Sequence, residues 1–336
     1  MSGRVRTFLL QLADAHAHWK AQVLLVIFYA IAWNRIVQAL AKGFRGWVLK
    51  KPWKKQWLDL SIKSFKSFFV HLPNDQAYFV AASTFVGVMA QHLAGGLLCA
   101  PSGLNLSSSS LAFALARHGL LSEAGWEVQD LAVRLWQLLF GGIGGRAQNP
   151  PGLLVILLLH HAMGIGLVVP CNLYLPSSRN AHEFAMLLQG AAAAAVLLQN
   201  YGYTLNVATP SGLRRMKVSV CLVWGVILYS RVIRFAVLVL RLYFECREQG
   251  LEFLIVGGMT VVSTMLYINF IFLFDATKKL FRFVFMDPYS GAVTPQRLSE
   301  AARESSVSLD PTPAAPRLQR WVSNGSPLKD ALLKED

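Results

Sequence analysis

Two adjacent histidines, His160 and His161, are the residues of this sequence whose type and position most suggest chemistry. They lie inside the apolar run 153–170, which is long enough to cross a bilayer as a helix of roughly 20 residues. A histidine at that depth is usually turned toward protein or a wet cavity, because no water solvates it in the hydrocarbon. The pair therefore predicts a functional cavity in the membrane. A hydrogen bond to a neighbouring helix is the structural alternative.

The histidine pair does not by its spacing predict a metal site. Neighbouring residues point about 100° apart on a helix, whereas two ligands for one ion are favoured at positions i and i+4. No other set of metal ligands stands out in the sequence. We therefore expect no metal and no cofactor.

Two arginines, Arg231 and Arg234, lie midway along another apolar run at 218–240, with Arg241 at its end. On a regular helix the three share one face, and an arginine at the bilayer centre costs at least about 2.5 kcal/mol unless it reaches water or a partner. This face is predicted to look inward, so that Arg231 and Glu183 line one cavity with His160 or His161; Glu183 is a candidate partner of Arg231. Other polar residues that could converge with the arginines are Gln91, His92, Gln189, Gln199, Asn200, Asn269 and Asp275.

Such a convergence has two interpretations. It predicts either a hydrogen-bonded network that locks the helices together or a cavity for a lipid headgroup or acyl-carrier group. On the second interpretation the cavity residues are His92, His160, His161, Glu183, Arg231, Arg234 and Asn269.

The composition indicates a membrane protein. The chain has 336 residues, of which 54% are hydrophobic and only 15% charged, and its mean hydropathy is +0.42. An ordinary soluble domain carries about 25% charged residues. The fold class predicted is therefore all-α, a polytopic membrane helix bundle with about seven transmembrane helices.

Seven apolar runs reach spanning length, at 22–41, 77–98, 106–142, 153–170, 182–199, 218–240 and 253–274. The third is broken by charged residues: Arg117, Glu123, Glu127, Asp130 and Arg134. Its more apolar half, 131–140, is either the whole span or a part of it.

The net charge of +14 is concentrated near the N-terminus. Residues 1–67 contain 12 Lys and Arg against 2 acidic residues, and Trp47, Trp53 and Trp57 lie among the lysines. Such a segment fits the headgroups of a cytosolic leaflet, where each cation gains roughly 1 kcal/mol from anionic lipid. We therefore expect anionic headgroups, and not nucleic acid, as the partner of this connector.

The apolar stripe Leu58, Ile62, Phe65 and Phe69 predicts that the connector ends in an interfacial helix. With the connector in the cytosol, seven crossings place the N-terminus in the lumen and the C-terminus in the cytosol. Basic clusters at 214–217 and 278–282 fall on the cytosolic side of this topology.

These features divide the chain into three parts. Residues 1–67 form an anchor helix and the basic connector, residues 68–285 a six-helix membrane domain, and residues 286–336 a proline-rich, disordered cytosolic tail. The four cysteines are widely spaced and are expected to be packing residues.

Four motifs follow one another in residues 68–285. They are a histidine pair (LLLHHAMG), a glutamate opening the next span (HEFAMLLQG), a late arginine (LVWGVILYSRVIRF) and a last span with a basic exit (LYINFIFLFDATKKLFRF). Their order resembles the TLC domain family, which includes translocating-chain-associated membrane proteins, ceramide synthases and ceroid-lipofuscinosis-type proteins. The resemblance implies a six-helix barrel with a lipid-admitting interior, usually in the endoplasmic reticulum.

The chain departs from the ceramide synthases within this family. Their histidines are paired with a later run containing two aspartates, whereas the corresponding stretch here is GAAAAAVLLQNYGYTLN. In a second sub-branch Glu-Ser-Thr-Pro follows the histidine helix, but here Glu183 precedes Phe184 and Ala185. The resemblance therefore implies a non-synthase member.

Three functions remain open at this point. The first is binding or sensing of membrane lipids within the barrel, with an influence on lipid homeostasis. The second is acyl transfer from acyl-CoA, with His160 or His161 as catalytic general base. The third is transport of a small solute, because polar groups inside a bundle also mark ion pathways. No protein partner is indicated.

Overall fold

The structure, a computed structural model, describes residues 19–64, 69 and 72–286. All regular secondary structure in these residues is helical. The predicted all-α fold is therefore confirmed for the described part of the chain. The predicted disordered tail lies almost entirely outside it.

Ten α-helices follow one another in the described residues: α1 (Trp19–Val48), α2 (Lys54–Ser64), α3 (Asn74–Gly103), α4 (Ser110–Phe140), α5 (Gly142–Gln148), α6 (Pro151–Tyr174), α7 (Arg179–Thr204), α8 (Pro210–Leu228), α9 (Arg234–Glu248) and α10 (Glu252–Val284). A π-helical turn, Tyr229–Ile233, joins α8 and α9 into one rod. Ser109, Ser178 and Thr209 each cap a helix by accepting a hydrogen bond from a backbone N–H.

Six helices in the described residues are long and apolar enough to cross a membrane: α1, α3, α6, α7, the α8–α9 rod and α10. This confirms the polytopic membrane class. The third predicted span, 106–142, corresponds to α4, which is one continuous helix of 31 residues and not a broken segment. Its charged residues keep it from being recognised by hydropathy.

Helix α4 nevertheless lies inside the bundle and runs the length of its neighbours. Ala116 of α4 lies beside Cys99 of α3, and Trp126, later in α4, lies beside Gly87, earlier in α3. The two helices are therefore antiparallel. In the same way Arg117 of α4 lies beside Asn172 of α6, and Asp130, later in α4, lies beside His161, earlier in α6. Helices α4 and α6 are therefore also antiparallel. At 1.5 Å per residue the helix is roughly 46 Å long, so these contacts support a seventh crossing.

Six helices form a closed ring. Around it α3 packs on α4, α4 on α6, α6 on α10, α10 on the α8–α9 rod, the rod on α7, and α7 again on α3. Helix α1 lies outside the ring, where Trp33 donates to Ser122 Oγ of α4 at 2.8 Å. The ring therefore encloses a space that α1 does not reach.

The basic connector differs from its prediction at Trp57. This residue was expected among lipid headgroups, but its side chain is fully buried and donates to Asn200 Oδ1 of α7 at 2.5 Å. The reason is that α2 folds back onto α3 and α7, so its apolar face meets protein. Trp47 remains 47% exposed, with the Lys51 ammonium 4.7 Å from its ring centroid.

Candidate functional site: a cavity inside the helix ring

The ring of helices encloses a cavity that is open on one side. All six elements of the ring line it. The polar lining residues are His92 of α3, Glu123 and Glu127 of α4, His160 of α6, Gln189 of α7 and Arg231 of the π-turn. The cavity therefore gathers polar groups from five helical elements that are distant in sequence.

The cavity has a polar part and an apolar part. The polar residues lie near the middle of their helices, whereas Leu167, Val168 and Cys171 line the wall along α6 toward its C-terminal end. Ala181 of α7 and Leu242 of α9 complete this wall. Such a cavity matches a ligand that has one polar group and one apolar part.

Arg231 lies in the π-turn and lines the cavity. Its guanidinium donates to the Leu188 carbonyl at 3.1 Å and to Asn269 Oδ1 at 3.5 Å. The Asn269 side chain, which is fully buried, donates in turn to the Arg231 carbonyl at 3.0 Å. A π-turn in a helix is frequent at functional sites, and here it places a cation in the bundle centre.

Glu183, the candidate partner of Arg231, does not pair with it. Glu183 pairs instead with Arg234, whose Nη2 and Nε lie 2.5 and 2.6 Å from Glu183 Oε1. Neither residue lines the cavity. The prediction that Arg231, Arg234 and Arg241 share one inward face assumed a regular helix. The π-turn adds a residue to one turn and rotates the helix beyond it, and Arg241 is exposed.

The two histidines are in different surroundings. His160 lines the cavity, and none of the described residues forms a hydrogen bond with it. His161 is buried beside it, where its Nε2 lies 2.9 Å from Asp130 Oδ2 of α4. That carboxylate also accepts from Arg134 Nε at 2.9 Å. The structure therefore assigns one histidine to the cavity and the other to a fixed network.

The side chains of the two histidines come close enough to share an ion, contrary to the expectation from their spacing. The candidate ligand atoms of Glu127, His160 and His161 all lie within 4.8 Å of one another. The angle of about 100° describes the directions in which the two side chains leave the helix axis. Histidine side chains are long enough for the ring nitrogens of His160 and His161 to come close together in spite of that angle.

His92 and the acidic residues of α4 complete the polar part. Gln91 donates to Glu123 Oε2, and His92 Nε2 lies 3.7 Å from Glu123 Oε1. Glu127 is 3% exposed, beside Gly164 of α6. The sequence prediction did not place Glu123, Glu127 or Asp130 in the site. Their spacing at i, i+4 and i+7, one face of a helix, was the available signal.

The comparisons with known proteins found nothing similar. No family model, no curated protein and no solved structure matches the chain.

Proposed function

We propose that this chain is a TLC-like protein of the endoplasmic reticulum membrane that binds or senses lipid inside its helix ring and thereby influences lipid homeostasis. The cavity is the observation that carries the proposal. It joins a cation, Arg231, and imidazoles to an apolar wall, all within a ring of membrane-length helices. A lipid fits this cavity because its polar headgroup can meet the polar residues while its acyl chain lies against the apolar wall.

Two further features support the same assignment. The ring of six membrane-length helical elements agrees with the six-helix barrel that the TLC resemblance implies. Lys51 and its neighbours, next to the exposed Trp47, fit a membrane surface with anionic headgroups. The location in the endoplasmic reticulum rests on the resemblance, and imaging of the tagged full-length protein in plastids or mitochondria would contradict it.

Filling the apolar wall tests the binding function. Ala185 of α7 lines the cavity, so Ala185→Phe should lower the amount of lipid that remains with the purified protein after detergent exchange. Ala236→Phe adds the same side chain on the exposed face of α9 and is the matched control. Lipid is measured by mass spectrometry of extracts. Equal lipid in Ala185→Phe and Ala236→Phe proteins of normal melting temperature would refute the proposal.

A second candidate, acyl transfer, is favoured by one observation. His160 faces the cavity without a hydrogen-bond partner in the described residues, and the Arg231 guanidinium lines the same cavity. A general base contributes roughly 10² to 10⁴ in rate, so His160→Ala should abolish any such turnover. Lipidomics of cells that lack the protein separates the two functions: a missing acylated product indicates the transferase, and a shifted lipid composition indicates binding.

A further inference from the structure

We propose that Glu127, His160 and His161 bind one divalent transition-metal ion, with zinc as the ion that fits best, at the wall of the cavity. This proposal goes beyond lipid binding and does not depend on it. It starts from three side chains on two helices, whose candidate ligand atoms lie within 4.8 Å of one another.

Two atoms of this cluster are buried without a hydrogen-bond partner in the described residues. These are Glu127 Oε2 and His161 Nδ1, on side chains that are 3% and 5% exposed as residues. A buried acceptor left unpaired costs about 1–3 kcal/mol, and more when it is charged. One metal ion would satisfy both atoms.

The second nitrogen of His161 is already arranged as in known metal sites. Its Nε2 lies 2.9 Å from Asp130 Oδ2, which itself accepts from Arg134. A histidine that binds a metal almost always donates its other ring N–H to a carboxylate or carbonyl, which fixes the tautomer and the ring. With Nε2 protonated, Nδ1 is left with the lone pair that a metal needs.

The backbone leaves room for the carboxylate ligand. A β-carbon at residue 164 would overlap both oxygens and the carboxyl carbon of Glu127, so only glycine allows this carboxylate to lie where it does. Gly164 is on α6, one turn after His160 and His161. The glutamate of α4 is thereby brought against the helix that carries the other two ligands.

Two imidazoles and one carboxylate, with an open fourth position, form a recurrent zinc site. Tetrahedral binding at about 2.0–2.1 Å places ligand atoms about 3.4 Å apart, so the side chains would close in by at most about 1.4 Å. Glu127 and His160 also line the cavity. The open position therefore faces the cavity, where it would take an oxygen donor from water or from a bound ligand.

The first experiment measures zinc in the full-length protein, purified without a histidine tag, stripped with chelator and reloaded with zinc. We expect one equivalent by mass spectrometry of the metal, and X-ray absorption that shows two imidazoles and oxygen donors near the zinc. Less than half an equivalent, or a spectrum without two imidazoles, would overturn the proposal. This measurement needs no variant.

The second experiment compares variants. Glu127→Gln and His160→Ala should lose the bound zinc, and Asp130→Asn, which keeps all three ligands, should weaken it about 10- to 100-fold. His92→Gln removes another cavity imidazole and should keep one equivalent. Zinc retained by the first two variants, or lost equally in His92→Gln, would overturn the proposal. Because zinc and lipid are measured separately, failure here is distinct from failure of lipid binding.

Discussion

At the scale of single residues, Arg231 and Arg234 lie in the same membrane helix but are stabilised differently. Arg231 donates to a carbonyl and an amide oxygen, which are both neutral. Arg234 pairs with the Glu183 carboxylate, and the two side chains are 26% and 16% exposed. Removal of Arg234 therefore leaves a charge unpaired, whereas removal of Arg231 leaves only neutral acceptors.

Arg234→Leu should destabilise the protein more than Arg231→Leu. Breaking a buried pair costs about 3–5 kcal/mol, and partial exposure places this one near the lower value. Loss of the Arg231 hydrogen bonds should cost about 1–3 kcal/mol. The free energy of unfolding in detergent measures both changes.

Arg241→Leu is the matched control for this pair of variants, because Arg241 is exposed and should change stability little. Adding Glu183→Leu to Arg234→Leu should recover stability, since neither charge then remains. The pairing would be contradicted if Arg231→Leu were the more harmful change.

At the scale of helices, close packing of α4 depends on small residues. A β-carbon at Gly125 would lie 3.0 Å from the Ala30 backbone nitrogen of α1 and would overlap the Tyr29 side chain. The two helices can approach this closely only without that carbon. Small residues play the same role in many membrane bundles, where backbones approach each other.

Gly125→Ala should therefore weaken the attachment of α1, by about 1–3 kcal/mol, the usual cost of overpacking. Gly43→Ala is the control, because no atom lies within 4 Å of its added carbon. It should be neutral or stabilising by up to about 1 kcal/mol. Thermal unfolding of the two variants decides the point, and equal stability would show that α1 is not held at Gly125.

Helix α4 is also predicted to cross the membrane, because it runs antiparallel to both α3 and α6. Leu106 precedes it and is 74% exposed, and Ile143 follows it and is 85% exposed. In a Cys221→Ser background, Leu106→Cys and Ile143→Cys should react with an impermeant maleimide from opposite sides of sealed microsomes. Reaction from the same side would show that α4 does not cross.

At the scale of the whole molecule, the order of crossings sets which parts share a face. Between the basic connector and the C-terminal tail lie α3, α4, α6, α7, the α8–α9 rod and α10. With six crossings the two segments must lie on the same side. Cationic connectors resist translocation, so that side is predicted to be cytosolic.

Tags beside Lys51 and at Asp336 should therefore both become accessible when the plasma membrane alone is permeabilised. Asp336 lies outside the described residues, so this measurement also fixes the side of the tail. Access to only one tag would mean an odd number of crossings between them, and α4 would be the helix to reconsider.

The sequence by itself determined the class, the six most apolar membrane-length helices and the residues that must avoid lipid. Apolar length sets which helices can span a bilayer, and the desolvation cost of His160 or Arg231 applies wherever the residue lies along such a helix. Both properties are local. They could be predicted without knowing how any helix packs.

Only the tertiary structure decided which polar groups meet. Glu183 pairs with Arg234 and not Arg231 because a π-turn changes the helix rotation between them. Glu127 joins the histidine pair because Gly164 lets α4 approach α6. The order and the rotation of the helices around the ring depend on packing across the whole bundle. In α4 the acidic residues that build the site also lower the hydropathy of the helix, so the sequence did not identify it as one continuous span.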